Sequence, residues 1–143
     1  MALADYSKRL LGLAETLHRW LSVLAQMDQE RREKVARYAE EIAATLARAS
    51  AALLALETNP GDIVAAREAM REMGRIAGYV ETMVGALKHH LDGRKLAGVK
   101  RRLTDLEARL PPRDGRFDFN HARIDRILAA EGYFRALADG LRV

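Results

Sequence analysis

The sequence predicts an all-α protein, an up-and-down helical bundle of four to five helices closed by a C-terminal helical hairpin. Three observations lead there. Apolar residues recur along the chain in alternating steps of three and four, and no segment alternates at the two-residue period of a half-buried strand. Apolar residues make up 49% of the 143 and charged residues 31%, enough to fill a core and too apolar for a disordered chain. Aromatics are only 6%, and the apolar bulk comes from Ala and Leu, which favour helix over strand. A chain of this length is expected to form one domain over residues 1–143, because two separate cores would each be marginal.

The first helix is expected over residues 3–27. Leu3, Tyr6, Leu10, Leu13, Leu17, Trp20, Leu24 and Met27 form the seam of a helix packed on another helix, and Leu11, Ala14 and Leu21 widen it. The seam stops at Met27. Residues 28–34 then hold six charges, and Asp28 suits an N-cap, so a turn or sharp bend is expected there, with a continuous helix as the alternative.

A second helix is expected over 29–57, with Val35, Tyr38, Ile42, Leu46, Ala49, Leu53 and Leu56 on its stripe. The flanking Ala36, Ala39, Ala43, Ala47 and Ala52 let a neighbour approach closely at little entropic cost. Thr58-Asn59-Pro60-Gly61-Asp62 stops this helix and restarts another. The third, over 62–91, carries Ile63, Ala66, Met70, Met73, Ala77, Val80, Val84, Leu87 and Leu91. Its length matches the second and suits antiparallel packing. Asp92-Gly93 breaks the register. A shorter helix over 95–110 follows, with Leu96, Val99, Leu103, Leu106 and Leu110. Pro111-Pro112-Arg113-Asp114-Gly115 reads as a loop, and Asn120 can cap a last helix over 120–141.

Charge is concentrated. Residues 88–116 hold nine basic and four acidic side chains, whereas 1–87 hold eleven basic and twelve acidic and 117–143 hold four of each. The excess of the chain's net +4 therefore sits in one segment. Within it Lys95, Arg102 and Arg109 recur every seven residues, and Lys100 and Arg101 extend the same polar side. This basic face reads first as a solvated side of the bundle and, as a functional alternative, as the candidate contact for an acidic protein surface. Nucleic acid or anionic lipid is a lesser alternative, since the segment lacks interleaved aromatics. Tyr6, Trp20, Met70 and Met73 are the candidate helix-interface residues, because aromatic and Met side chains adapt well to partners; the same positions also suit an internal core.

Other chemistries are thinly supported. The chain has no Cys, which removes disulfides, thiolate catalysis and Cys-ligated metals. His18, His89, His90 and His121 never stand three or four apart, and Glu40-Glu41 lacks a Glu-x-x-His partner, so no metal and no cofactor is expected. Ser7, Ser22 and Ser50 lie in helical stretches without a nucleophile elbow, and no glycine-rich phosphate loop occurs. The N-terminus carries charges at Asp5, Lys8, Arg9, Glu15 and Arg19 within its apolar pattern, and no uncharged run is long enough to span a bilayer. A cytoplasmic location is the expectation.

Two segments resemble known families. His89-x-Leu91-x-Gly93 is similar to the phosphorylated-histidine motif of histidine phosphotransfer domains, and the resemblance implies a relay role for His89 or His90. It departs in placing Asp92 before the glycine and Arg94 and Lys95 after it. Arg32-Glu33-Lys34-Val35-Ala36-x-Tyr38, followed by Ile42-Ala43-x-x-Leu46 and the turn at Asn59-Pro60-Gly61-Asp62, resembles the small helical effector-associated and death-like adaptor modules of bacterial signalling and conflict proteins. That resemblance implies homotypic or heterotypic helix association and no catalytic residues. The expected function is a non-enzymatic helical interaction domain, an adaptor or assembly module in bacterial signalling or regulation. It would form a homo-oligomer or bind a helical partner. A histidine relay and a nucleic-acid-binding protein using segment 88–116 are the alternatives.

Overall fold

The two long central helices begin where a short acidic side chain can satisfy the free amides of a first turn. Asp28 Oδ1 accepts a hydrogen bond from the Arg31 amide at 2.8 Å, and Asp62 Oδ1 accepts one from the Ala65 amide at 3.0 Å. Between them Asn59 Oδ1 accepts from the Gly61 amide at 3.2 Å, closing the turn that reverses the chain. The computed structural model describes residues 2–87, 93–108 and 121–143. These form α1 (Ala2–Arg19), α2 (Leu21–Leu24), α3 (Gln29–Thr58), α4 (Ile63–Leu87), α5 (Gly93–Ala108) and α6 (His121–Leu141), with no strand among the described residues. The fold is an all-α bundle.

The first helix differs from the single element expected over 3–27. It is interrupted at Trp20, whose φ of −92° and ψ of 14° leave the helical region. The Trp20 amide reaches back only three residues, to Leu17 O at 3.2 Å, and α2 is a single turn beyond it. The break keeps Leu17 and Leu24 fully buried on either side while turning α2 towards α6. Residues 25–28 then separate α2 from α3, so the turn expected near Asp28 is present. Helix α5 starts at Gly93, two residues before the expected 95. Residues 88–92 and 109–120, at the ends of three expected helices, lie outside the described residues.

Packing runs in a ring, α1–α6–α3–α4–α5 and back to α1, with α5 the most lightly held. Side-chain contacts fix the directions. Arg48 meets Glu72 and Tyr38 meets Tyr79, so α3 and α4 are antiparallel. Arg142, just past the end of α6, reaches Glu33 and Glu40 near the start of α3, so that pair is also antiparallel. His18 meets Tyr133 and Leu21 packs over Gly140, so α1 and α6 run parallel. Among the described residues, α6 packs chiefly on α1 and α3. The cause is legible in α3. Ala36, Ala39, Ala43 and Ala49 are all fully buried, because α3 has a neighbour on each side and small side chains let both approach. Leu10, Leu13, Leu17, Ile42, Leu46 and Phe134 fill the interior they enclose, each side chain contributing about 1.5–3 kcal/mol when withdrawn from water.

A C-terminal latch finishes the α6–α3 seam. Arg142 Nη2 and Nε donate to the two oxygens of Glu33 at 2.8 and 3.2 Å, and Nη1 donates to Glu40. The hydrogen bond from Arg142 holds the Glu33 carboxyl below its ordinary value of 4.5. A depressed carboxyl stabilises the fold above its unfolded pKa, and that contribution is lost as pH falls through the folded value. Arg142→Gln is therefore expected to lower the urea midpoint at neutral pH. The gap to the wild type should close as pH drops below 4.5 and as salt is raised.

The α2–α6 contact depends on one glycine. A Cβ on Gly140 would sit 2.6 Å from Leu21 Cδ2, whereas one on Gly74, exposed on α4, would meet nothing within 4 Å. Gly140→Ala is expected to cost about 1 kcal/mol, relieved when combined with Leu21→Ala. Gly74→Ala should stabilise by about 1 kcal/mol, since helix propensity then acts alone. Thermal unfolding of these three variants and of Leu21→Ala alone checks both signs.

Candidate functional site

The basic face expected on the fourth long segment lies on α5, which rests against α1 and α4. Arg94, Lys100 and Arg101 are exposed, and Lys95 and Arg102 are half-buried. Arg102 folds back along its own helix, Nη1 donating to Gly98 O at 3.3 Å, so its charge is partly spent within α5. Arg109, the third member of the seven-residue series, lies outside the described residues, as do Lys88, His89 and His90 and hence the histidine-relay motif.

Of the four candidate interface residues, Tyr6 and Met73 are each 1% exposed, which leaves them no area to offer a partner in this fold. Trp20 and Met70 are half-buried. Tyr6 has a further cost: its hydroxyl finds no hydrogen-bond partner among the described residues, and burial pushes the phenol above its ordinary pKa.

Sequence reasoning missed an ion network between α3 and α4. Glu72 lies on the buried side of α4, one residue from Met73, and is only 2% exposed. Its Oε2 accepts from Arg48 Nε at 3.1 Å, and its Oε1 lies 3.5 Å from Arg75 Nη1. Arg48 Nη2 also donates to Thr45 Oγ1 at 3.2 Å, and that hydroxyl donates to Glu41 O at 2.7 Å. The carboxylate is thus held by two guanidinium groups whose outer faces stay wet. This arrangement ties α3 to α4. The sequence carried little signal of it, because Glu72 stands beside the apolar series expected for that helix and not on it.

A shallow open cleft of about 320 Å³ lies between the start of α3 and the end of α4, lined by Asp28, Glu30, Arg31, Lys34, Gly85 and Ala86. Its charges are mixed, and the Asp28 carboxylate is occupied in capping α3. Among the described residues, no three His, Asp or Glu side chains are grouped to hold a metal ion, and no helix is long and apolar enough to cross a membrane.

Another exposed surface is the outer side of α6. Apolar and charged residues are distributed around this helix without a single dominant apolar face. The bundle covers only part of it. Ile124, Ile127, Ala130, Phe134, Leu137 and Leu141 face inward. Leu128 at 42% and Tyr133 at 36% remain exposed beside Ala129, Gly132 and Ala136. Tyr133 is steadied from α1 by an edge-on contact with His18, ring centroids 5.4 Å apart. Leu128, Gly132 and Ala136 make a shallow strip along the outer side, with Tyr133 at its α1 margin.

No known protein family, curated protein or solved structure matches this chain.

The Glu72 network yields a paired expectation. Arg48→Ala leaves a buried carboxylate with one distant partner and should cost about 3 kcal/mol. Glu72→Leu removes the buried charge, lets Arg48 and Arg75 return to water, and should cost less than about 1 kcal/mol. Urea unfolding of the two variants measures the asymmetry.

Proposed function

We propose that the chain is a non-catalytic helical interaction module, an adaptor or assembly domain, and that it docks a helix along the outer side of α6. The observation that carries this reading is the exposure of Leu128 beside Ala129, Gly132 and Ala136 along the outer side of α6. Gly132 and Ala136 lower the strip so that a second helix can approach closely. The exposed arginines of α5, Arg94 and Arg101, support a second reading, contact with an acidic protein surface at a separate place on the bundle.

Leu128→Glu combined with Gly132→Glu changes only exposed positions, so the thermal midpoint should stay close to that of the wild type. The double variant should bind helical peptides selected on the wild-type protein from a displayed library about tenfold or more weakly. It should also lose any increase in mass with concentration that the wild type shows in light scattering. Wild type and variant behaving alike in both measurements would remove α6 as the docking surface.

A further inference from the structure

We infer that the α6 strip selects a partner helix carrying a cation at each end of its apolar seam, and that it discriminates against pairing with the α6 of a second copy. The inference rests on the reading of that strip as a docking surface and names what covers it. Asp125, Leu128, Gly132, Ala136 and Asp139 follow one another in steps of 3, 4, 4 and 3 along the outer side of the helix, so the strip is closed at both ends by an exposed carboxylate. The two carboxylates stand fourteen residues apart, about 21 Å along the axis at 1.5 Å per residue.

Two cations of the C-terminal segment are held by other carboxylates. Arg135 Nε donates to Glu131 Oε2 at 2.9 Å within α6, and Arg142 is held by Glu33 and Glu40 of α3. Arg126, half-buried, stands seven residues before Tyr133 and so lies on the side of α6 that faces α1. The strip therefore presents an apolar centre between two negative ends.

Gly132 is the midpoint between Asp125 and Asp139, which decides how a second copy would fare. An antiparallel α6 pair centred on Gly132 places Asp125 of each helix opposite Asp139 of the other. A parallel pair places each aspartate opposite its own equivalent. Both symmetric arrangements bring like charges together at both ends, a repulsive element built into the surface. A partner helix with Lys or Arg fourteen residues apart, in either direction, meets opposite charge at both ends while its seam rests on Leu128, Gly132 and Ala136.

Two synthetic helical peptides test this. Both carry the same Leu/Ala seam; one has Lys and the other Glu at two positions fourteen residues apart. In fluorescence anisotropy at low salt, the Lys peptide should bind wild-type protein about tenfold more tightly than the Glu peptide, with the difference shrinking as salt rises. Asp125→Lys combined with Asp139→Lys should reverse the order. Equal affinity for the two peptides, with both lost in the Leu128→Glu variant, would overturn the charge selection and leave the docking surface standing. Wild-type dimerisation that Leu128→Glu abolishes would overturn it in favour of self-pairing. Binding of neither peptide would overturn this inference and count against the docking surface itself.

Discussion

Close approach to α3 from two sides is the constraint on which the bundle depends. Helix α4 lies along one side of α3 and α6 along the other, and the fully buried Ala36, Ala39, Ala43 and Ala49 keep the intervening volume small enough for both. A row of leucines in their place would hold the neighbours apart and open the α6 seam. Insertion of α6 then follows. It takes the position beside α3 that α1, nearer in sequence, would otherwise fill, and α1 becomes its parallel neighbour on the far side.

Charge is used at the seams rather than in the centre. Glu72 ties α3 to α4 with one buried carboxylate and two half-exposed guanidinium groups, and Arg142 ties α6 to α3 from the surface. The first kind of contact is sensitive to the loss of either partner, because a carboxylate removed from water has no second source of hydration. The second is a wet, multidentate clamp whose strength follows pH and salt. Both act on α3. Helix α5 packs on α1 and α4 and carries exposed basic residues on its outer side.

The outer side of α6 links the fold to the proposed role. A helix inserted late in the chain must satisfy α1 and α3 at once, which requires apolar residues over a wide arc. The same composition leaves Leu128 and its small neighbours outside once both contacts are made. The proposed docking strip is thus a by-product of insertion, closed at each end by an exposed aspartate.

The class of fold was legible in the sequence because helical periodicity is a local property. Steps of three and four mark one side of a helix whatever it packs against, and Asp28, Asp62 and the Asn59-Pro60-Gly61 turn mark helix ends through side-chain-to-amide hydrogen bonds that span only a few residues. Partner choice was not local. Nothing in the spacing of Leu3 to Met27 announces that the helix breaks at Trp20 so that Leu21 can settle over Gly140, or that Tyr6 and Met73 are consumed by the core while Leu128 is left outside. Those outcomes depend on which stripe meets which, and similar apolar stripes are interchangeable until close packing, and the arginines and carboxylates at the seams, favour one arrangement over the others.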